Sequence, residues 1–440
     1  AVDHSVTVTG AGSFQWAGTA AAGAAVAVNT MVNTTTATVA NSTLDSGRDI
    51  KLEAQNVSII ANVAAGAQVA TKKDKSGAVG GSIAVNTVVK VTEAFITGST
   101  LTAGNDVVLS SGDQSWGGAL AGSVQYAGGG VGGAAVAVNT IVDIVGAYID
   151  SSSIDANRNV TLTADNKAGI GTIAVGFQYG GKFSLGGSVA VTTLVDDISA
   201  YVTDNSTVTA GNDIVMTARD LTVAGTLAGS VQASKGSAAA GAAIAVNTIV
   251  APVKVVVDDS HLLAGNNVEL EAKNLSVAAG VAVGGQGADK FAIGGSVAVN
   301  TLVSTTEALI RNSSTVHADG DVLLTAEDAS YVGALAGSVQ IAKGTAAAGA
   351  AVSVNTLVNT VSTGIASSTV SAGGQVLLDS KNISITANVA VGAQGANSFA
   401  LGGSVAVNTI VKTTQAYTTG TVADPSSIAA WGDISLKAED

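Results

Sequence analysis

The sequence predicts an all-β chain wound as a β-solenoid (parallel β-helix-like), and three observations predict it. The tripeptide Val-Asn-Thr, or a near copy, occurs eight times, centred on Asn29, Asn86, Asn139, Thr192, Asn247, Asn300, Asn355 and Asn408, at spacings of 53 to 57 residues. Around it, residue character alternates with a period of two, as in strands. Glycine is abundant at 54 residues while proline stands at 2, so tight turns are available and almost every backbone N–H is free for a ladder. A fixed period in this range marks one supersecondary unit stacked on copies of itself.

The repeat predicts a single continuous body over residues 1–440, in modules of roughly 1–56, 57–113, 114–166, 167–220, 221–274, 275–328, 329–382 and 383–440. The modules pair. Gly-Ala-Ala-Val or Gly-Ala-Ala-Ile precedes the tripeptide at 23–26, 241–244 and 349–352, whereas Gly-Gly-Ser-Val or Gly-Gly-Ser-Ile stands at 80–83, 186–189, 294–297 and 402–405. Phe183, Phe291 and Phe399 recur every 108 residues, in the second kind only. The larger unit is therefore a pair of ~54-residue modules, four pairs in all.

The eighth module shows the elements in order. Residues 383–394 alternate as a strand, 395–399 read as a turn, and 401–411 alternate again. Val405, Val407 and Val411 share one face of the second strand, and Gly402, Ser404, Ala406, Asn408 and Ile410 share the other. The valine face reads as a core. The Ala/Gly/Ser face reads as built for another sheet at less than the usual ~10 Å, either within the chain or where rods associate. A more polar signature follows, as at Asn205–Asp220: a short strand, a Gly/Asn/Asp turn and another alternating strand, the way a parallel solenoid turns its corners. Its equivalents begin near Asn41, Gly98, Ser151, Asp259, Asn312, Ser367 and Pro425.

A glutamine precedes each tripeptide: Gln15, Gln68, Gln125, Gln178, Gln232, Gln286, Gln340 and Gln394, fourteen or fifteen residues ahead except for Gln68, which lies eighteen ahead. Parity places these amides and the asparagines on the small-residue face. Stacked amides bond to their copies in neighbouring coils, and a buried amide without partners costs about 1–3 kcal/mol. Ladders of Gln and Asn are expected, and they favour one large coil per module. The alternative is a polar stripe that binds glycan or another rod. One coil per module gives a stack of roughly 40 Å, and two or three coils give on the order of 80–115 Å.

Asp319 and Asp321 are the calcium candidates among the turn residues, but the glycine-rich nonapeptide of calcium β-rolls is missing and turn chemistry accounts for both. No cofactor is expected. His4, His261 and His317 occupy unlike places in the repeat with no acid or hydroxyl recurring beside them, so no catalytic triad or metal site is expected. Adjacent carboxylates such as Asp196–Asp197 point to opposite faces of a strand. The threonine runs (34–36, 413–414, 418–419) lack a regular Thr-x-Thr in every module and read as surface strand.

Composition narrows the function. With a net charge of −13 and only Lys72, Lys73 and Lys75 clustered, the chain repels phosphate backbones, so no nucleic-acid partner is expected. No membrane insertion is expected either. The most apolar window, 238–257, is interrupted by Asn247, Thr248, Pro252 and Lys254, and aromatics at 3% cannot supply the girdles of a membrane barrel. The absence of cysteine fits an exported protein. The chain opens Ala1-Val2-Asp3 without methionine and stops after its eighth module with no closing segment, so a processed or excised piece is expected.

The polar signature, Ser-x-Val-x-Ala-Gly-x-x-Val-x-Leu-x-Ala in rhythm, stands at Ser206–Ala218 and more loosely at Ser313–Ala326. It resembles the repeats of filamentous-haemagglutinin-type exoproteins, the large adhesins of Gram-negative bacteria, over about a third of each module. That resemblance implies a right-handed parallel β-helix, an extracellular or cell-surface location and an adhesive or filament role. The secretion domain that heads such proteins is not in this sequence.

The leading expectation is a structural segment of a secreted filament or adhesin stalk, not an enzyme. It would polymerise through ladder edges and Ala/Gly-rich faces, with itself, with adjoining repeats of a longer chain, or against a host or neighbouring-cell surface. The alternative is a glycan- or matrix-binding module, which needs an aromatic or charged patch confined to one or two modules; Trp16, Trp116 and Trp431 are isolated. A carbohydrate-active β-helix enzyme would need one irregular module carrying clustered acids and bases.

Overall fold

The computed structural model describes residues 1–440 and contains 25 strands and no helix. The strands form three parallel sheets, one of nine strands and two of eight, and within each sheet they stack in chain order. The fold is a parallel β-solenoid. One turn runs through a long strand in sheet A, a reversal, a long strand in sheet B, a corner, a four-residue strand in sheet C and a second corner. In the second coil these are Ile50–Ala70, Gly77–Thr97 and Thr100–Ala103. Asn29 pairs with Asn86 and Gln15 with Gln68, each the equivalent residue one module on. One module is therefore one coil, and eight coils rise ~38 Å.

The long strands exceed what alternation predicts. In the eighth coil the strands are Val376–Ala396 and Phe399–Thr419, so the reversal is only Asn397 and Ser398. The polar strand that closes one signature and the Ala/Gly strand that opens the next are continuous. Nothing between them breaks the ladder: Asp379 and Lys381 turn outward while Asn382 is buried. The cuts between the expected modules therefore fall inside sheet-A strands, Asn56 and Val57 lying mid-strand in Ile50–Ala70. The spacing of Gln68 is also explained. Its reversal, residues 71–76, is four residues longer than that at 18–19, and the extra residues, including Lys72, Lys73 and Lys75, loop into solvent without moving the register.

Both corners use the residues the sequence offers. Between sheets B and C, Asn41, Gly98, Ser151, Asp259, Asn312 and Ser367 adopt left-handed φ between 45° and 57°, a conformation open to Gly and least costly for Asn and other short polar residues. Between sheets C and A the Gly/Asn/Asp turn is as expected.

In cross-section the coil is a flat blade on a thicker spine. At the spine all three sheets enclose an aliphatic core of 44 buried residues, among them Ile96, Leu101 and Leu109. Toward the tip only sheets A and B remain. Between them lie a polar layer containing Lys90 and Asp113, a row of Ile, Leu, Val and Met side chains, the asparagines, a layer of 18 buried residues that are all alanine, and the glutamines against glycine.

This corrects the reading of the valine face. Val405 and Val407 are 51% and 41% exposed, and Leu227 and Val231, in the middle of the stack, are 40% and 45% exposed. The Ala/Gly/Ser face is the interior. Between the reversals and the asparagines, sheets A and B meet with only small residues and amides between them, so the larger apolar side chains of that stretch must point outward. The Ala/Gly-rich faces are thus consumed within one chain and are not available for association between rods.

Candidate functional site

The recurring glutamines and asparagines are drawn into axial ladders. The glutamine ladder is unbroken: each side-chain amide donates to the glutamine of the preceding coil, from Gln68 to Gln15 at 2.9 Å through Gln394 to Gln340 at 3.0 Å. Opposite each glutamine, sheet B carries glycine in all eight coils, and a Cβ at Gly241 would collide with the Gln232 amide. Glycine is required there by space.

The asparagine ladder runs with the opposite polarity. Asn86 donates to Asn139 at 2.7 Å and Asn247 to Asn300 at 2.8 Å. The same amides also donate across the blade to sheet-A carbonyls, Asn86 to Gly118 and Asn247 to Ala279, so the ladder fastens the two sheets together. Thr192 breaks the residue type and not the network. Thr172 accepts from Asn139 at 2.7 Å, Thr192 lies 2.7 Å from Thr172 and 2.8 Å from Thr226, and Thr226 donates to Asn247.

Two further ladders have no counterpart in the sequence reading. Behind each left-handed corner stands a serine; Ser99 accepts from the Ser42 N–H at 3.0 Å and donates to the Thr97 carbonyl at 2.8 Å, and Ser152, Ser206 and Ser260 repeat the arrangement. The second ladder lies in the buried polar layer. Asp3, Asn56, Asp113, Asn166, Asp220, Asn274, Asp328 and Asn382 are successive register partners, acid and amide in strict alternation. Within this sheet-A column carboxylates are thereby kept two coils, ~9.6 Å, apart, whereas Asp143 and Asp196 on sheet B are register partners one coil apart; the intervening sheet-A amides donate to the acids, Asn166 to Asp220 at 2.8 Å and Asn274 to Asp328 at 2.6 Å. Like charges one coil apart in a low-dielectric layer would repel strongly. This alternation, with Phe183 overlying Gly130, gives the ~108-residue pair its physical meaning.

Sheet B adds charge to the same layer. The Lys90 ammonium pairs with Asp113 and lies 3.3 Å from Asp143. Asp143 accepts from Ser115 at 2.9 Å and Asp196 from Thr222 at 2.7 Å. Burial raises Asp143 to about 7, against the pull of Lys90. Burial likewise raises Asp220 to about 7, and burial with the neighbouring Asp220 and Asp143 carboxylates holds Asp196 well above the ordinary range. Asp328 is raised by burial while its amide and hydroxyl donors act in the opposite direction.

The remaining sequence candidates lie on the surface. Asp321 is a turn residue whose carboxylate accepts the Gln375 N–H at 2.8 Å, and Asp319 pairs with His317 at 3.2 Å. No three His, Asp or Glu side chains converge closely enough to hold a metal ion. His317 does have an acid and a hydroxyl beside it, Asp319 on Nε2 and Ser371, one coil on, at 2.7 Å from Nδ1. The backbone N–H groups bordering this trio, those of Gly373, Gly374, Trp431 and Gly432, all donate to ladder carbonyls, so none of these is free to hold an oxyanion. Phe95, Tyr148 and Tyr201 stack coil on coil at 4.7 and 4.6 Å. Both faces of Tyr148 are covered by its neighbours' rings. No family model, curated protein or solved structure matches this chain.

Proposed function

We propose that this chain is a structural block, a segment of a secreted bacterial filament or adhesin stalk whose coils stack along the filament axis. The observation that carries the reading is the register: the glutamines, the asparagines and the corner serines meet their own copies one coil on, and these ladders repeat along the axis without converging on one place. A binding or catalytic site gathers unlike groups at one point, whereas these groups are spread evenly along the stack. The Ser-x-Val-x-Ala-Gly rhythm shared with filamentous-haemagglutinin-type adhesins supports the extracellular setting. Growth along the axis would use the open edges of the three sheets, through which any further coil, of this or another copy, can pair. Electron microscopy of the 440-residue chain in dilute neutral buffer tests the reading. Uniform blocks ~38 Å high, single or stacked end to end into fibres, support it, and irregular particles would end it.

A further inference from the structure

Close to the spine, the outer face of sheet A gathers unlike residues, whereas the glutamine and asparagine ladders repeat one. Read up the stack, an outward column runs Gln55, Gly112, Asp165, Arg219, Lys273 and Glu327. Arg219 and Lys273 are register partners, and in the three sheets no other cation has a cation beside it one coil on. Both lean on one carboxylate, Glu271, at 2.5 Å, and Lys167 in the adjoining column adds a third cation. With Lys381, which pairs with Glu327 at 3.4 Å, four cations here face the carboxylates of Asp165, Glu271 and Glu327. That is a local excess of positive charge on a chain whose net charge is −13. A salt-bridge ladder serving stability alone alternates in sign. Cation beside cation is destabilising, and an anion brought to that step relieves it.

Lys167, Arg219 and Lys273 rim a depression of about 330 Å³, with Leu221 and Leu275, 37% and 38% exposed, as its apolar wall. A second depression, of about 180 Å³, adjoins it and shares Asp165 and Lys167. This one is the notch left by Gly112, where a Cβ would meet nothing within 4 Å, and Gln55, Ser110, Gln114 and Thr163 surround it. Gly112 and Arg219 lie two coils, ~9.6 Å, apart. The two depressions thus form one groove along the axis.

We propose that this groove binds an acidic oligosaccharide, a glycan bearing uronic acid, laid along the solenoid axis. Its carboxylate sits between Arg219 and Lys273, which supply charge-assisted hydrogen bonds. The C–H face of that ring lies on Leu221 and Leu275. The next ring, rich in hydroxyls, fills the Gly112 notch, where amides and hydroxyls offer donors and acceptors without charge. Asp165 stands between the two places. It accepts from sugar hydroxyls and repels a second carboxylate, so acid and neutral rings should alternate. A small anion would use the first depression alone, and an acidic peptide would bring no hydroxyls to the second. The charged patch that a glycan-binding module needs is thus assembled by register in the fourth to sixth coils, where no run of basic residues marks it in the sequence. The stacking of coils does not depend on this site.

Isothermal titration calorimetry on the 440-residue chain tests it with three probes: a hexasaccharide alternating glucuronate with N-acetylglucosamine, the neutral N-acetylglucosamine hexamer, and hexaglutamate. The alternating glycan should bind with saturation, more tightly than either of the others, and added salt should weaken it. Arg219→Gln with Lys273→Gln should weaken it by about a hundredfold. Gly112→Trp fills the notch from a position in open space and leaves every charge in place; it should weaken binding by about tenfold or more. Arg311→Gln, on the outer face of sheet B, should change nothing. No saturable binding, or equal binding of the two glycans, would overturn the proposal. So would tighter binding of hexaglutamate, because the occupant would then be a peptide.

Discussion

Asn274 donates its side-chain amide at 2.6 Å to Asp328, its register partner on the next coil. The contact is one rung of the alternating acid–amide column, and it gives the buried carboxylate a donor where an identical neighbour would give a second charge. Asn274→Asp would place three carboxylates in consecutive coils. At pH 8 this should cost about 3 kcal/mol or more, the scale of an uncompensated buried charge. The loss should shrink at pH 5, where the carboxyls take up protons. Urea midpoints at the two pH values measure both.

The pH dependence of the native chain follows from the same layer. Asp143 and Asp220 are raised to about 7 and Asp196 well above the ordinary range, so each holds its proton more tightly folded than unfolded. Their contribution to stability is complete below the unfolded value near ~4 and is lost as pH rises through the folded value. The urea midpoint should therefore be higher at pH 5 than at pH 8. Asp196→Asn should raise the pH 8 midpoint and flatten the profile, whereas a midpoint that falls on acidification would count against the buried acid layer.

Gly241 and Gln232 test the amide ladder. Gly241→Ala pushes a methyl group into the Gln232 amide and should cost about 1–3 kcal/mol, as overpacking does. Adding Gln232→Ala removes the amide, the nearer obstruction, and leaves the Gly186 carbonyl at 2.8 Å, so the double variant should be at least ~1 kcal/mol more stable than the sum of the single changes. Simple additivity in a double-mutant cycle would mean that the two side chains do not meet.

The corner serines can be tested singly. Ser260 accepts from the Ser206 N–H at 3.3 Å and donates to the Asp258 carbonyl at 2.8 Å. Ser260→Ala leaves the buried N–H and carbonyl without these partners and should cost about 1–3 kcal/mol. Amide exchange at Ser206 should quicken, while that at the distant Gln ladder stays slow.

The architecture was legible because it is periodic. The spacing of the tripeptide and the parity of Gln and Asn place those amides on the small-residue side of each strand, and in the structure they face inward from sheets A and B. The side facing out was not legible from hydrophobicity. Valine ranks above alanine as a core residue, but the gap between sheets A and B is set by what fills it, and Gly241 against Gln232 leaves no room for valine. The Asp–Asn column was missed for another reason. Asp113-Gln114-Ser115 and Asn166-Lys167-Ala168 look like unrelated polar stretches until the coil register aligns Asp113 with Asn166. The Ser371 hydroxyl reaches His317 only across coils, a juxtaposition that spacing along one strand does not reveal.

One coil per module is the claim on which the ladders and the acid layer depend. The chain has no native cysteine, so spin labels can be attached at Thr100→Cys and Thr369→Cys, outward positions on the four-residue strands of the second and seventh coils. Electron–electron double resonance should place the labels five coils apart, ~24 Å at ~4.8 Å per coil. A separation near ~48 Å, as two coils per module would give, would contradict the account.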